Sequence, residues 1–221
     1  PGWLSLGYPD YEVLVVDDFS EDNSLTVVGV LRQNNPRLRL TGLSQETRYS
    51  QKLARNLALK AINHEFAVFV HPAMETPGDH WLPGIASVLS GNDTMAVGYT
   101  RLKPANGFYH NLYRTVSFLQ QAESMSFCLN GLPYVTTEEN IAFRKQDYFT
   151  MNGFAGKIGE QHLNMEMIFN EVIRKKKNRL LLAGNLTLMK VMTAGKAEFL
   201  DLLHKNLVLK KSLGFRIRLT S

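Results

Sequence analysis

The stretch Tyr11-Glu-Val-Leu-Val-Val-Asp-Asp-Phe-Ser-Glu-Asp-Asn-Ser24 constrains the fold more than any other part of the chain. Apolar residues crowd around a single Glu in Tyr11–Val16 without clean alternation, the pattern of a strand buried on both faces. The strand stops at Asp17-Asp18, where Ser20, Asp22 and Asn23 supply turn and N-cap side chains. Leu25–Leu31 can follow as a helix, with Pro36 bounding the segment. A parallel α/β sheet presents ligand-binding groups at this point, beyond the carboxyl end of a central strand. Two carboxylates there can accept hydrogen bonds from a base or ribose, help hold a metal, or merely cap the next helix. Residue types alone leave those readings open.

At 221 residues with 44% apolar content, the chain is long and apolar enough for one sizeable core, and residues 1–221 read as a single domain. Lys and Arg number 25 against 20 Asp and Glu, a surplus of +5 that gathers in Arg174–Arg179 and from Lys205 onward. Nucleic acid is not the expected partner, because no Lys/Arg face is interleaved with exposed aromatics. A basic end of this kind suits phosphate-bearing substrates or anionic lipid. The single cysteine, Cys128, excludes an intramolecular disulfide and lies in an apolar-periodic run, as a core thiol would. No stretch approaches the ~18–20 apolar residues of a membrane span.

Further along, Arg37–Leu40 reads as a short strand. Leu53, Ala54, Leu57, Ala58, Ala61 and Ile62 keep helical spacing, with Lys52 and Arg55 off that stripe near the helix start. A helix N-terminus with two cations is a sensible anion site, and a solvated basic face explains the same pattern. Phe66–Val70 is the next buried strand, Trp81–Leu89 a helix, Met95–Tyr99 a strand and Asn111–Leu129 a long helix. Asn140 to Lys145 reads as a strand entered through a polar residue. Leu180–Ala183 and Leu186–Val191 are strand-like, and Lys196–Leu213 is expected to be an amphipathic, basic C-terminal helix that could lie on a membrane surface.

Four of these segments resemble family 2 glycosyltransferases, most closely bacterial members of Bacteroidetes type. "YEVLVVDDFSEDNS" is similar to the family's "YEVIVVDDGSTDNT", and Ser50–Phe66 to its "GKxxALNxGIxxAxGEY" helix. Gly131-Leu-Pro-Tyr-Val-Thr-Thr-Glu-Glu-Asn-Ile-Ala-Phe-Arg-Lys145 is similar to "GxPYxGxGRNLAYRK", departing where Gly-Arg becomes Glu138-Glu139. Gln146–Phe154 matches the family's "xxFxxxGGF" turn. The resemblance implies an α/β fold, a three-layer α/β/α sandwich with a mostly parallel central sheet, of the nucleotide-diphospho-sugar transferase type. It implies transfer of a sugar from a nucleotide-diphosphate donor to a glycan or lipid-linked acceptor, by inverting displacement. The nucleotide then falls to Asp17, Asp18 and Ser20, the diphosphate to Lys52 and Arg55, and the donor and acceptor side to Asn140 and Arg144. The family's acidic cluster follows the turn. Aligning on Phe169-Asn170 keeps Glu166 as the general base, and aligning on Gly159-Glu160 keeps Glu160.

The chain departs from the family at its metal motif. A divalent cation, Mn or Mg, is expected in the family on an Asp-x-Asp pair, and those positions here hold Pro72 and Met74. Neither offers the oxygen ligand a hard cation needs; His71 and Glu75 are the nearby candidates for an improvised site. The alternative function is therefore a catalytically inactive relative that binds nucleotide or scaffolds a partner. Family members also carry an earlier central strand before the equivalent of Tyr8-Pro9, whereas this chain opens at Pro1. The expectation is a fragment whose sheet has a gap or has been rebuilt. The implied location is the cytoplasm, at the inner face of the cytoplasmic membrane.

Overall fold

The computed structural model describes residues 2–46, 50–89, 94–156, 158–159, 164–176, 179–182 and 186–213. A short 3-10 turn, Gly2–Leu4, precedes strand β1, Val13–Asp17. Helix α1, Ser24–Gln33, begins after Asp22 Oδ1 accepts the Ser24 N–H at 2.9 Å, an Asx turn that starts the helix without a side-chain cap from Asn23. Strand β2, Leu38–Gly42, returns parallel to β1. Helix α2 is Ser50–Ala61, β3 is Phe66–Val68, and α3 is Trp81–Val88. They are followed by β4, Thr94–Val97, β5, Thr100–Leu102, and the long helix α4, Phe108–Leu129. The C-terminal part holds β6, Ile141–Arg144, α5, Lys145–Thr150, α6, Met165–Lys176, β7, Arg179–Leu182, β8, Leu188–Lys190, and α7, Lys196–Ser212.

The strands form three hydrogen-bonded sets: β1-β2, β3-β6-β4-β7 and β5-β8. Within them β1∥β2, β4∥β7 and β5∥β8 are parallel, and β6 alone runs against both its neighbours. Side-chain alternation splits the four-stranded sheet into two faces. Met95, Val97, Ile141 and Phe143 point to one face, where they pack with Leu59 of α2, Tyr148 of α5 and Ile168, Phe169 and Val172 of α6. Ala96 and Ala142 point to the other, under Trp81 and Ile85 of α3 and beside Leu186 and Leu188. Helices thus cover both faces, which is the three-layer α/β/α arrangement.

Two expectations are corrected. Val13–Val16 are half-buried rather than fully buried, because among the described residues β1 has a ladder partner on one side only, β2. The β1-β2 pair forms its own sheet, separate from the four strands around β6. Helix α7 is not cleanly amphipathic. Leu209 and Leu213 are buried while Leu200 and Leu207 are exposed, so apolar residues lie on both sides of it. Ala183 and Gly184, at the predicted strand junction near residue 183, fall outside the described residues.

Candidate active site

The site is built where β6 begins. Backbone groups just ahead of that strand are held by side-chain amides. Asn170 of α6 clamps Val135, accepting its N–H at 2.8 Å and donating to its carbonyl at 3.0 Å. Gln121 of α4 does the same for Thr100 at the start of β5, with bonds of 3.0 and 2.8 Å. Each amide pairs as a neighbouring strand would, so the backbone groups of Val135 and Thr100 are satisfied by a side chain. Asn140 closes the entry. It is buried at φ +58, accepts the indole N–H of Trp81 at 3.1 Å and donates to the Tyr99 and Leu186 carbonyls. Gly98 lies against it, where any Cβ would collide with Asn140 and the Leu186 carbonyl.

This framing holds Thr136-Thr137-Glu138-Glu139 at the rim of a cleft of about 180 Å³ between the sheet edge, α4, α6 and α7. The cleft wall is rich in hydroxyl and amide groups, among them Thr100, Ser117, Gln120 and Asn206. Its charged lining is Glu138, Glu139, Glu166, Lys190 and Lys205. Lys190 pairs with Glu139 at 2.6 Å. Arg55 reaches in from α2 and pairs with Glu138 Oε1 through Nη2. Among the described residues, Glu138 Oε2 and Glu166 Oε2 are covered and accept no hydrogen bond. Burial pushes the Glu138 carboxyl up to about 7; Arg55 pulls it back, and the charges of Glu166 and Glu139 push it further up. Glu166, in the first turn of α6, is likewise raised, chiefly by burial, with its own backbone N–H and then Arg55 working against the rise.

Among the described residues, Glu166 is the predicted site residue that lines this cleft, and Arg55 meets it through Glu138. Glu160 lies outside the described residues. Asp17, Asp18 and Ser20 sit together at the end of β1, where Asp17 Oδ2 accepts the Ser20 N–H at 3.2 Å and Asp18 is exposed. Lys52 donates to the Ile158 carbonyl at 3.3 Å and stands 5.9 Å from the Phe154 ring. Arg144 is at the far end of β6, paired with Glu65 and stacked 4.8 Å over Phe66, so strand direction separates it from Asn140. Glu138, Glu139 and Lys190 were not predicted. The signal was present: two adjacent acids directly before an apolar strand are costly to bury unless they serve a purpose.

Met74 is buried and bridges to Lys190, with the Glu75 N–H donating to the Met189 carbonyl at 2.8 Å. Glu75 pairs with Lys103 at 2.7 Å, and His71 Nδ1 accepts the Ala73 N–H at 3.0 Å. The loop is thus stitched to β8 by backbone bonds and its polar side chains have protein partners. No group of three or more metal-ligating side chains occurs among the described residues. The residues present at 71–75 do not fit a hard divalent cation.

The three-layer α/β/α arrangement is of the nucleotide-diphospho-sugar transferase type. Residues 4–173 match the family Glycosyl transferase family 2, and the chain belongs to that family. No curated protein matches it. Solved structures share the fold at low identity. TarS residues 1–349 of S. aureus, in complex with UDP, aligns with TM-score 0.62 and 14% identity over 96% of this chain and 59% of that one. The mannosyltransferase PcManGT of Pyrobaculum calidifontis, in complex with GDP-Man and Mn2+, aligns with TM-score 0.65 and 19% identity over 94% of this chain and 55% of that one. Glucosyl-3-phosphoglycerate synthase of Mycobacterium tuberculosis, with Mn2+, UDP-glucose and phosphoglyceric acid, gives 0.55 and 12% over 90% and 67%. The chain therefore spans about three-fifths of the TarS 1–349 structure it matches.

Proposed function

We propose that the chain transfers a sugar from a nucleotide-diphosphate donor to a hydroxyl of a glycan or lipid-linked acceptor, with inversion. The observation that carries this reading is Glu166: a covered carboxyl with an unpartnered oxygen, facing a cleft lined by hydroxyl and amide groups. Such a carboxyl, raised by burial, is a stronger proton acceptor than an ordinary carboxylate. It takes the acceptor's O–H proton as that oxygen bonds to the sugar's anomeric carbon, and the bond to the diphosphate breaks with its electron pair on the nucleotide. Glu160 stays an alternative base. Asp17, Asp18 and Ser20 would hold the nucleotide and Lys52 the diphosphate; Asn140 holds the loop that carries Glu138, and Arg144 takes no part. No step is assigned to a cation, because residues 71–75 do not suit one.

The inactive-relative reading rests on Pro72 and Met74. Family membership and the polar cleft around Glu166 weigh against it. Contact of the basic C-terminal helix α7 with the inner face of the cytoplasmic membrane is part of the same proposal; among the described residues no helix is long and apolar enough to cross one. Calorimetric titration with UDP and GDP, with and without Mn2+, combined with a transfer assay tests the function. Glu166→Gln should keep nucleotide binding and lose transfer by about 100-fold or more. Absence of both binding and transfer in the unaltered chain would leave the scaffold reading in its place.

A further inference from the structure

Glu138 has no place in the function above, and its surroundings are unusual. Its Oε1 is taken by Arg55, its Oε2 is covered without a partner, and it lines the same cleft as Glu166, whose Oε2 is also covered and unpartnered. Two covered carboxylates lining one poorly hydrated cleft cannot both ionise cheaply. Their one strong compensating contact is Arg55, which neutralises a single charge. Of the other charges on the cleft wall, Lys190 pairs with Glu139 at 2.6 Å, and Lys205 on α7 pairs with Asp201 at 2.8 Å while its charge works, less than burial does, for the ionised forms of both carboxyls. Tyr113 on α4 is itself pushed up by burial and by nearby Glu139, so it stays neutral there.

We propose that Glu138 is a positioning residue for the base: held by Arg55, it shares a single proton with Glu166, and release of that proton arms Glu166. Below neutrality the pair holds one proton and one negative charge, which Arg55 balances. As pH rises the shared proton leaves to solvent and both carboxylates are ionised. Glu166 is then a stronger base than an isolated carboxylate, because the neighbouring negative charge favours its reprotonation. The proton it regains comes from the acceptor hydroxyl, so the pair returns to its one-proton state as the new glycosidic bond forms. The Glu138–Glu166 interaction is mutual, since the energy by which one charge raises its neighbour acts equally in reverse. This inference rests on the transferase reading for its chemistry but not for its proton sharing, and the two are separable by experiment.

The test is a carboxyl titration by NMR on protein carrying 13C-labelled glutamate, with no substrate present. In the unaltered protein the Glu138 and Glu166 signals should each show two titration steps, as interacting groups do. In Glu138→Gln the Glu166 signal should become single-step, with its midpoint lowered by about one unit or more. Glu166→Gln should act reciprocally on Glu138, and this variant decides the matter if Glu138→Gln fails to fold. An unchanged Glu166 midpoint in folded Glu138→Gln, or an unchanged Glu138 midpoint in Glu166→Gln, overturns the proposal. Where turnover is measurable, the acid limb of the kcat/KM profile should move down in pH with the Glu166 midpoint, and a limb that stays put also overturns it. If the coupled titration is present but no nucleotide sugar turns over, the transferase reading falls while the shared proton stands.

Discussion

Glu138 shows how one residue's surroundings become a pH dependence of the whole protein. Its carboxyl rises from the ordinary 4.5 to about 7 on folding, so the native state binds its proton more tightly than the unfolded chain does. The sign follows from linkage: the stability contributed is full below about 4.5, declines as pH climbs toward about 7, and is constant above that. Between pH 5 and pH 8 the unaltered protein should lose on the order of 2 kcal/mol that Glu138→Gln does not lose, read by urea unfolding at each pH. Asn140 is the structural counterpart. Asn140→Ala removes the acceptor of the Trp81 N–H and two donors to carbonyls, and leaves a residue with a Cβ at φ +58. We expect about 2–4 kcal/mol of destabilisation from the buried groups left unpaired. A loss under about 1 kcal/mol would mean that water replaces the side chain at this position.

At the scale of elements, the junction of β4, β6 and residue 186 leaves no room for an added side chain. Adding a methyl at Gly98 would drive it into Asn140 and the Leu186 carbonyl, so Gly98→Ala should cost about 1–3 kcal/mol in denaturant unfolding. Helix α7 gives the opposite case. Leu207 is exposed, and its replacement by Glu should change stability by no more than about 0.5 kcal/mol. A larger loss would mean that Leu207 is covered in solution. The helix stays docked through other contacts: Lys210 reaches Glu123 of α4 at 3.1 Å, Phe199 meets Tyr109 with ring centroids 6.2 Å apart, and Leu209 is buried.

At the scale of the whole molecule, the separation of the β1-β2 pair from the β3-β6-β4-β7 sheet predicts uneven stability. Val13–Val16 are half-buried, whereas Ala96, Ile141 and Ala142 in β4 and β6 are almost completely covered. Native-state hydrogen exchange should therefore be faster, by about tenfold or more, for the β1 amides than for those of β4 and β6. Equal protection across both sheets would show that they unfold as one cooperative unit.

Local pattern placed the elements, and the resemblance of contiguous motifs carried the fold class. Apolar runs at 11–16, 66–70 and 140–145, and the helical spacing in 53–62 and 111–129, are short-range features, and the strands and helices fall close to where those runs and spacings lie. The match of "YEVLVVDDFSEDNS" to its family is likewise a property of contiguous residues, and the family assignment followed from it. Glu166 was legible as a candidate base because the family's acidic cluster follows a recognisable turn and alignment on Phe169-Asn170 keeps Glu166. The partners of Arg55, Arg144 and Glu138 were not legible. Arg55 and Glu138 are 83 positions apart, and their pairing depends on how α2 packs beside the entry to β6. Arg144 lies four residues from Asn140, yet at the opposite end of a strand whose direction only sheet pairing decides. Sequence spacing sets which residues share an element, but charge pairing and carboxyl burial belong to contacts between distant segments, and those exist only once the chain has packed.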